Sequence, residues 1–223
     1  VSATTPIEVL VDGAAVARRA AELVADRARA AVVERGSFSF AVSGGRTPWA
    51  MFAELAHHDF PWDRSAIYQV DERVAPGGDE SRNLTHLLES LPAPARAQIH
   101  AMPVEDPDLE RAALGYASLL PARFDLIHLG LGPDGHTASL IPGDPVLDVE
   151  DRDVALTGPY QGHRRMTLTY PVLDRAHALL WLVTGADKHD ALERLRRHDH
   201  SIPAGRVKAR EELIVADIAV SDG

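Results

Sequence analysis

The sequence predicts an α/β protein built on a mostly parallel sheet with helices on both of its faces. Three observations lead there. Strand-like runs alternate with longer stretches of helical period along the chain, the pattern of βα units and a parallel sheet. The run "FDLIHLGLG" at 124–132 is apolar almost without interruption, as expected of a strand buried on both faces. Clusters of Gly, Ser, Asp and Arg fall directly after strand-like runs, where open α/β sheets bind their ligands.

The elements follow in order. "IEVLV" reads as a first strand, and residues 14–34 carry apolar positions at three- and four-residue spacing, ended by Gly36, so they predict a long helix. "FSFAVS" is a second strand, and "SGGRTP" opens a helix over 48–58. "AIYQVDE" reads as one strand, "SRNLTHLLESL" as a helix and "IHAMP" as a short strand, before a helix near 107–120. "FDLIHLGLG" comes next, then "DVALTG", "RRMTLTYPVL" and "ALLWLVTG" as strands, a helix at 187–198, and "LIVADIAV" as the last strand. No repeat, low-complexity tract or Gly/Ser linker divides them, so residues 1–223 are expected to form a single domain.

Composition narrows the function classes. With 45% hydrophobic and 25% charged residues the chain matches an ordinary globular protein. It has no cysteine, which excludes disulfides, zinc–thiolate sites and Cys nucleophiles and suits a reducing cytosol. The opening "VSATTPIEVL" lacks the basic-then-apolar layout of a signal peptide, and no apolar run reaches transmembrane length. A cytoplasmic location and no membrane partner are the expectations. The net charge of −10, without a dense Lys/Arg run, argues against nucleic acid. A few focused cations can still draw an anionic metabolite to a negative protein.

Four strand ends carry the candidate chemistry. In "AVSGGRTP" the backbone of Gly44 and Gly45 and the hydroxyls of Ser43 and Thr47 precede a helix N-terminus, an arrangement suited to an anion. The stretch also reads as a tight βα turn with Pro48 at the first helical position. It lacks both the Gly-Lys-Ser/Thr ending of a P-loop and G-x-G-x-x-G. In "QVDERVAP" Asp71 can orient or accept a proton and Arg73 can bind an oxyanion; the alternative is a solvated turn. Downstream, Ser81 and Asn83 stand at a helix start, where capping accounts for one of them.

The third end, "LGLGPDGHTASLIPG", holds His136 in a Gly-rich loop with Asp134 two residues before it. An imidazole suits a general base on water, whereas Asp134 reads as a residue that shapes the turn. The fourth end pairs Arg164 and Arg165 with Lys188, one of only two lysines, in the first turn of a predicted helix. A cation there opposes the helix dipole, which hints at an anionic ligand. The His pairs at 57–58 and 198–200 lack i,i+4 spacing for a metal, and no G-x-S-x-G marks a serine hydrolase.

Taken together, "SGGRTP", "DERV" with "SRN", "LGLGPDGHTASLIPG", "RRMTLTYPV" and "VTGADK" resemble the 6-phosphogluconolactonase family, collinearly over nearly the whole chain. Arg46 stands where that family usually has a small residue. The resemblance implies a three-layer αβα, Rossmann-like fold of the sugar-phosphate isomerase/lactonase type. It also implies hydrolysis of 6-phospho-D-glucono-1,5-lactone, the second step of the oxidative pentose phosphate pathway, with no cofactor and no required metal. His136 would be the base, Asp71 would orient imidazole or water, and Arg73 would hold substrate or oxyanion. Ser43, Gly44, Gly45, Thr47, Asn83, Arg165 and Lys188 would bind the phosphate and sugar hydroxyls. The partner expected is this small sugar-phosphate lactone, and the oligomeric state stays open, a monomer included. Related glucosamine-6-phosphate deaminases place a Glu five residues after the His, where this chain has Ile141. Two alternatives stand beside the lactonase: a deaminase or isomerase in which Asp71 abstracts a proton, and a non-catalytic sugar-phosphate sensor.

Overall fold

The computed structural model describes residues 4–96 and 98–219. Its centre is a seven-stranded sheet in the order β1-β10-β9-β6-β2-β3-β5, with every pairing parallel. The strands are β1 (Ile7–Val9), β2 (Phe38–Val42), β3 (Ser65–Gln69), β5 (Ile99–His100), β6 (Leu126–Gly130), β9 (Leu179–Val183) and β10 (Glu212–Ala216). A second, antiparallel sheet joins β4 (Asp71–Arg73), β8 (Arg165–Leu168) and β7 (Val154–Leu156). The helices are α1 (Gly13–Arg35), α2 (Arg46–Leu55), α3 (Asn83–Ser90), α4 (Ala93–Arg96), α5 (Leu109–Leu119), α6 (Tyr170–Asp174) and α7 (His189–Arg196). Among the described residues no helix is long and apolar enough to cross a membrane.

Alternation along the strands explains why both faces are covered. In β9, Leu179, Trp181 and Val183 join a core with α5, α6, α7 and the small sheet, while Leu180 and Leu182 join the opposite core under α1 and α2. β6 divides likewise, Ile127 and Leu129 to one side and Leu126 to the other. A strand with apolar residues on both faces reads as the continuous run seen in the sequence.

α1 starts where the Asp12 carboxylate accepts the Ala15 N–H at 2.7 Å and stops where Gly36, at φ +82°, returns its N–H to Val32. Its buried face is mostly alanine, Ala17, Ala20, Ala21, Ala25, Ala28 and Ala31, so the helix backbone lies close to the sheet.

Four elements differ from the sequence reading. "AIYQVDE" is not one strand: it breaks at Val70, whose N–H bonds Val42 of β2 while its carbonyl accepts from Leu168 of β8. The chain thus passes from the large sheet into the small one. "RRMTLTYPVL" ends as a strand at Leu168 and becomes α6, because Pro171 cannot donate to a ladder but suits the first helical turn. α2 begins at Arg46, two residues before Pro48, since N–H groups of a first turn have no partner to lose. β10 ends at Ala216, and the last position of the strand read to Val220 lies outside the described residues.

From β2 the chain builds outward through β3 to β5, and from β6 it builds the other way through β9 to β10. The crevice at the carboxyl ends of β2 and β6 is therefore the topological switch point. The tight alanine face of α1 gives the fold a test. Ala21→Leu is expected to cost about 1–3 kcal/mol by overpacking. Val33→Leu, at an exposed position of the same helix, should stay within about 0.5 kcal/mol. Thermal melts of the two variants check this.

Candidate active site

Ser43, Gly44, Asp71, Arg73, Asn83, Gly130, Leu131, His136, Ala138 and Arg165 line one cleft of about 140 Å³ at the switch point. Seven of the residues singled out in the sequence stand here. The small sheet brings two of them together: the antiparallel register sets Arg73 directly opposite Arg165 and Asp71 opposite Thr167. Like charges at facing positions repel. Arg165 is only 4% exposed, and burial first, then the Arg73 guanidinium, lower its pKa from the usual arginine value. Its Nε has no hydrogen-bond partner among the described residues. The nearest carboxylate, Asp71 Oδ2, lies 4.0 Å from a terminal guanidinium nitrogen of Arg165. Two cations crowded at a cleft with little neutralisation can attract an anion.

Neutral donors hold Asp71. The Ser139 hydroxyl donates to Asp71 Oδ2 at 2.6 Å, and Asn83 Nδ2 lies 3.3 Å from Oδ1. Asn83 Oδ1 accepts from Arg73, so one amide orients both a carboxylate and a guanidinium. Gly44 makes room for it, since a Cβ there would sit 1.8 Å from Asn83 Oδ1.

Glu72 faces away from the cleft and is fully buried. Its carboxylate accepts the Gln69 side-chain amide and the backbone N–H groups of Arg73, Asn83 and Leu84, each at 2.8 Å, and pairs with Arg82 Nε at 3.1 Å. It closes the N-terminus of α3 and fixes β4 against that helix.

His136 sits on the loop after β6. Its Nδ1 is 2.6 Å from Asp134 Oδ1, which also accepts the His136 backbone N–H at 3.1 Å. Burial pushes the Asp134 carboxyl up, but bonds from the His136 backbone and ring and from Tyr160 outweigh it and leave its pKa below the usual carboxylate value. An ionised carboxylate only accepts, so Nδ1 is the donor in this pair, and the neutral imidazole has its lone pair on Nε2. The sequence reading gave Asp134 to the turn and had Asp71 orient the imidazole or the water. The imidazole's carboxylate partner is Asp134, and the bonds of Asp71 go to Ser139 and Asn83. Gly132 makes the pair possible, because a Cβ there would lie 2.0 Å from His136 Nδ1.

Ser43 is engaged with β6: its N–H donates to His128 Nδ1 and its hydroxyl to the His128 carbonyl, both at 3.2 Å. Gly45, Thr47 and Lys188 stand outside the cleft lining. Gly45 takes φ +128° ahead of α2, Thr47 bonds Thr184, the residue after β9, at 2.8 Å, and Lys188 pairs with Asp187 at 3.0 Å. Lys188, and to a smaller extent Arg46, lower the Asp187 pKa.

Sequence reasoning missed Glu72, Ser139 and Tyr160 as parts of the site. Tyr160 donates to Asp134 Oδ2 at 3.2 Å from the β7–β8 loop, a segment without any motif.

This is an enzyme-like site of the α/β class, an oriented imidazole beside paired guanidiniums at the switch point of a parallel sheet. Residues 11–215 match the family of glucosamine-6-phosphate isomerases/6-phosphogluconolactonase, and the chain belongs to that family. A 6-phosphogluconolactonase of Synechocystis sp. is 35% identical over 226 residues, covering 93% of each chain. One from Rattus norvegicus is 36% identical over 214 residues, covering 85% of this chain and 81% of its own. The crystal structure of 6-phosphogluconolactonase from Thermotoga maritima superposes with a TM-score of 0.85 at 29% identity, covering 95% of this chain and 98% of that one. The α/β architecture expected from the sequence is the one these proteins share.

Two tests follow from the geometry. Gly132→Ala should force the imidazole off Asp134 while the fold persists; a crystal structure of the variant, with circular dichroism as control, shows whether it does. His128 is fully buried and burial pushes its pKa down to about 3. The unfolded chain therefore binds a proton that the folded chain refuses, so this contribution to stability is lost as pH falls below about 6.5 toward 3. Urea unfolding at pH 7 and pH 5 should show a smaller loss for His128→Leu than for wild type.

Proposed function

We propose that the protein hydrolyses 6-phospho-D-glucono-1,5-lactone to 6-phospho-D-gluconate, with His136 as general base on water. The observation that carries this reading is the His136–Asp134 pair, which leaves Nε2 as a free proton acceptor in a cleft flanked by two guanidiniums. A lactone carbonyl is already electrophilic, so the reaction needs a base, a water and a place for negative charge. The family and the relatives' activity agree with that requirement.

His136 Nε2 removes a proton as the water oxygen bonds to the lactone carbonyl carbon. The carbonyl oxygen becomes an oxyanion facing Arg73, while Arg165 holds the substrate's phosphate. Collapse breaks the bond from that carbon to the ring oxygen, and His136 returns its proton to the departing oxygen. The product carboxylic acid ionises, which is the proton an assay detects. Asp134 holds the imidazole in the required tautomer and steadies its charged form. Asp71 and Asn83 keep Arg73 and Arg165 in place, and the loops bearing Gly44, Gly45, Thr47 and Lys188 receive the phosphate. This is the step that the family resemblance puts second in the oxidative pentose phosphate pathway.

Proton release on adding freshly generated lactone, corrected for spontaneous hydrolysis, tests the reading. Wild type should accelerate it and His136→Ala should fall close to background. Asp134→Asn should lower kcat by about 10²–10⁴-fold with little change in KM, as expected for loss of an orienting carboxylate. Arg165→Ala should mainly raise KM. No acceleration by wild type, or equal rates with His136→Ala, would overturn it.

A further inference from the structure

Tyr160 lies in the loop between β7 and β8, next to Gln161 at φ +50° and Gly162 at φ +85°. A bridge between Tyr160 and His163 closes that loop on itself. The half-buried Tyr160 side chain touches three charged or titratable groups of the site. Its hydroxyl donates to Asp134 Oδ2 at 3.2 Å. The edge-to-face contact with the His136 ring has centroids 5.6 Å apart and planes at 66°. Arg165 Cζ lies over the Tyr160 ring, 5.1 Å from its centroid.

Each contact has a distinct physical effect. The phenol is the second donor on the carboxylate that already holds His136, so it fixes the plane of Asp134 and thereby the direction of His136 Nε2. The ring edge limits rotation of the imidazole. The ring face receives a guanidinium whose Nε has no hydrogen-bond partner among the described residues, where a π surface gives a buried cation some compensation for lost water. Asp134 and Arg165 belong to separate elements, the loop after β6 and the start of β8, and Tyr160 is in contact with both.

We propose that Tyr160 is a positioning residue that sets the base and the anion-binding cation in register. Its hydroxyl acts on His136 through Asp134, and its ring acts on Arg165. The proposal rests on the lactonase reading for its kinetic effects, while the imidazole geometry can be read without substrate.

Two variants separate the parts. Tyr160→Phe keeps the ring and removes the donor. It should lower kcat about three- to tenfold, the loss of one hydrogen bond, with KM nearly unchanged. Freed of that donor, Asp134 turns more of its charge on the imidazole, so the acid limb of the kcat/KM profile should move to higher pH. Tyr160→Ala removes the ring as well and should add a rise in KM of about fivefold through Arg165.

The ¹⁵N resonances of His136 should shift in Tyr160→Phe while those of the buried His128, whose ring accepts from Ser43, stay fixed. Unchanged kcat, pH profile and His136 resonances in Tyr160→Phe would overturn the proposal. So would equal losses of kcat in both variants with no KM split, which would mark a role in loop folding alone. If wild type fails to hydrolyse the lactone, the functional reading falls and the resonances decide: a shift confined to His136 supports positioning, and no shift overturns it.

Discussion

The site depends on one buried carboxylate that never faces it. Glu72 gathers donors from the Gln69 side chain, from its neighbour Arg73 and from the first residues of α3, and balances Arg82. A charge fully removed from water persists only when paired and hydrogen-bonded this completely. The period of two along β4 does the rest. With Glu72 turned inward, Asp71 and Arg73 must turn outward to the cleft. Asn83, whose backbone N–H is held by Glu72, presents its amide to both. Three chain segments are thus fixed relative to one another before any ligand arrives.

The break at Val70 gives that carboxylate its setting. If "AIYQVDE" ran on as a single strand, Asp71 and Arg73 would extend the large sheet. Instead the chain turns into a second sheet, whose antiparallel register brings Arg165 from about ninety positions downstream opposite Arg73. The parallel sheet provides the switch-point crevice, and the small sheet walls it with cations.

Much of this was legible in the residues. "FDLIHLGLG" declared a central strand because both faces of a buried strand must be apolar, and the Gly, Asp and Arg clusters after strands marked the crevice. The switch at Val70 was not legible, since an apolar–polar run carries no information about which strand it pairs with. In "RRMTLTYPVL" the β-branched residues masked the change to helix at Pro171. The Asp134–His136 pair was hidden for a different reason: an Asp two residues before a His fits a turn equally well, and only the loop conformation, with Gly132 lacking a Cβ, brings the carboxylate to the ring. Tyr160 reaches the site through a loop fold that no spacing encodes.

The charges follow a consistent logic. The chain carries a net −10, yet the cleft sets two guanidiniums face to face, and Asp71, the carboxylate nearest Arg165, is held by neutral donors. Arg165 is buried against Arg73 with its Nε unpartnered among the described residues, an arrangement that lowers stability in the free protein. Such strain is retained where a ligand relieves it: an anion entering the cleft would supply the missing acceptors and cancel the repulsion. In the proposed reaction, selectivity for negative charge would then come from these paired guanidiniums and not from the overall charge of the chain, which is −10.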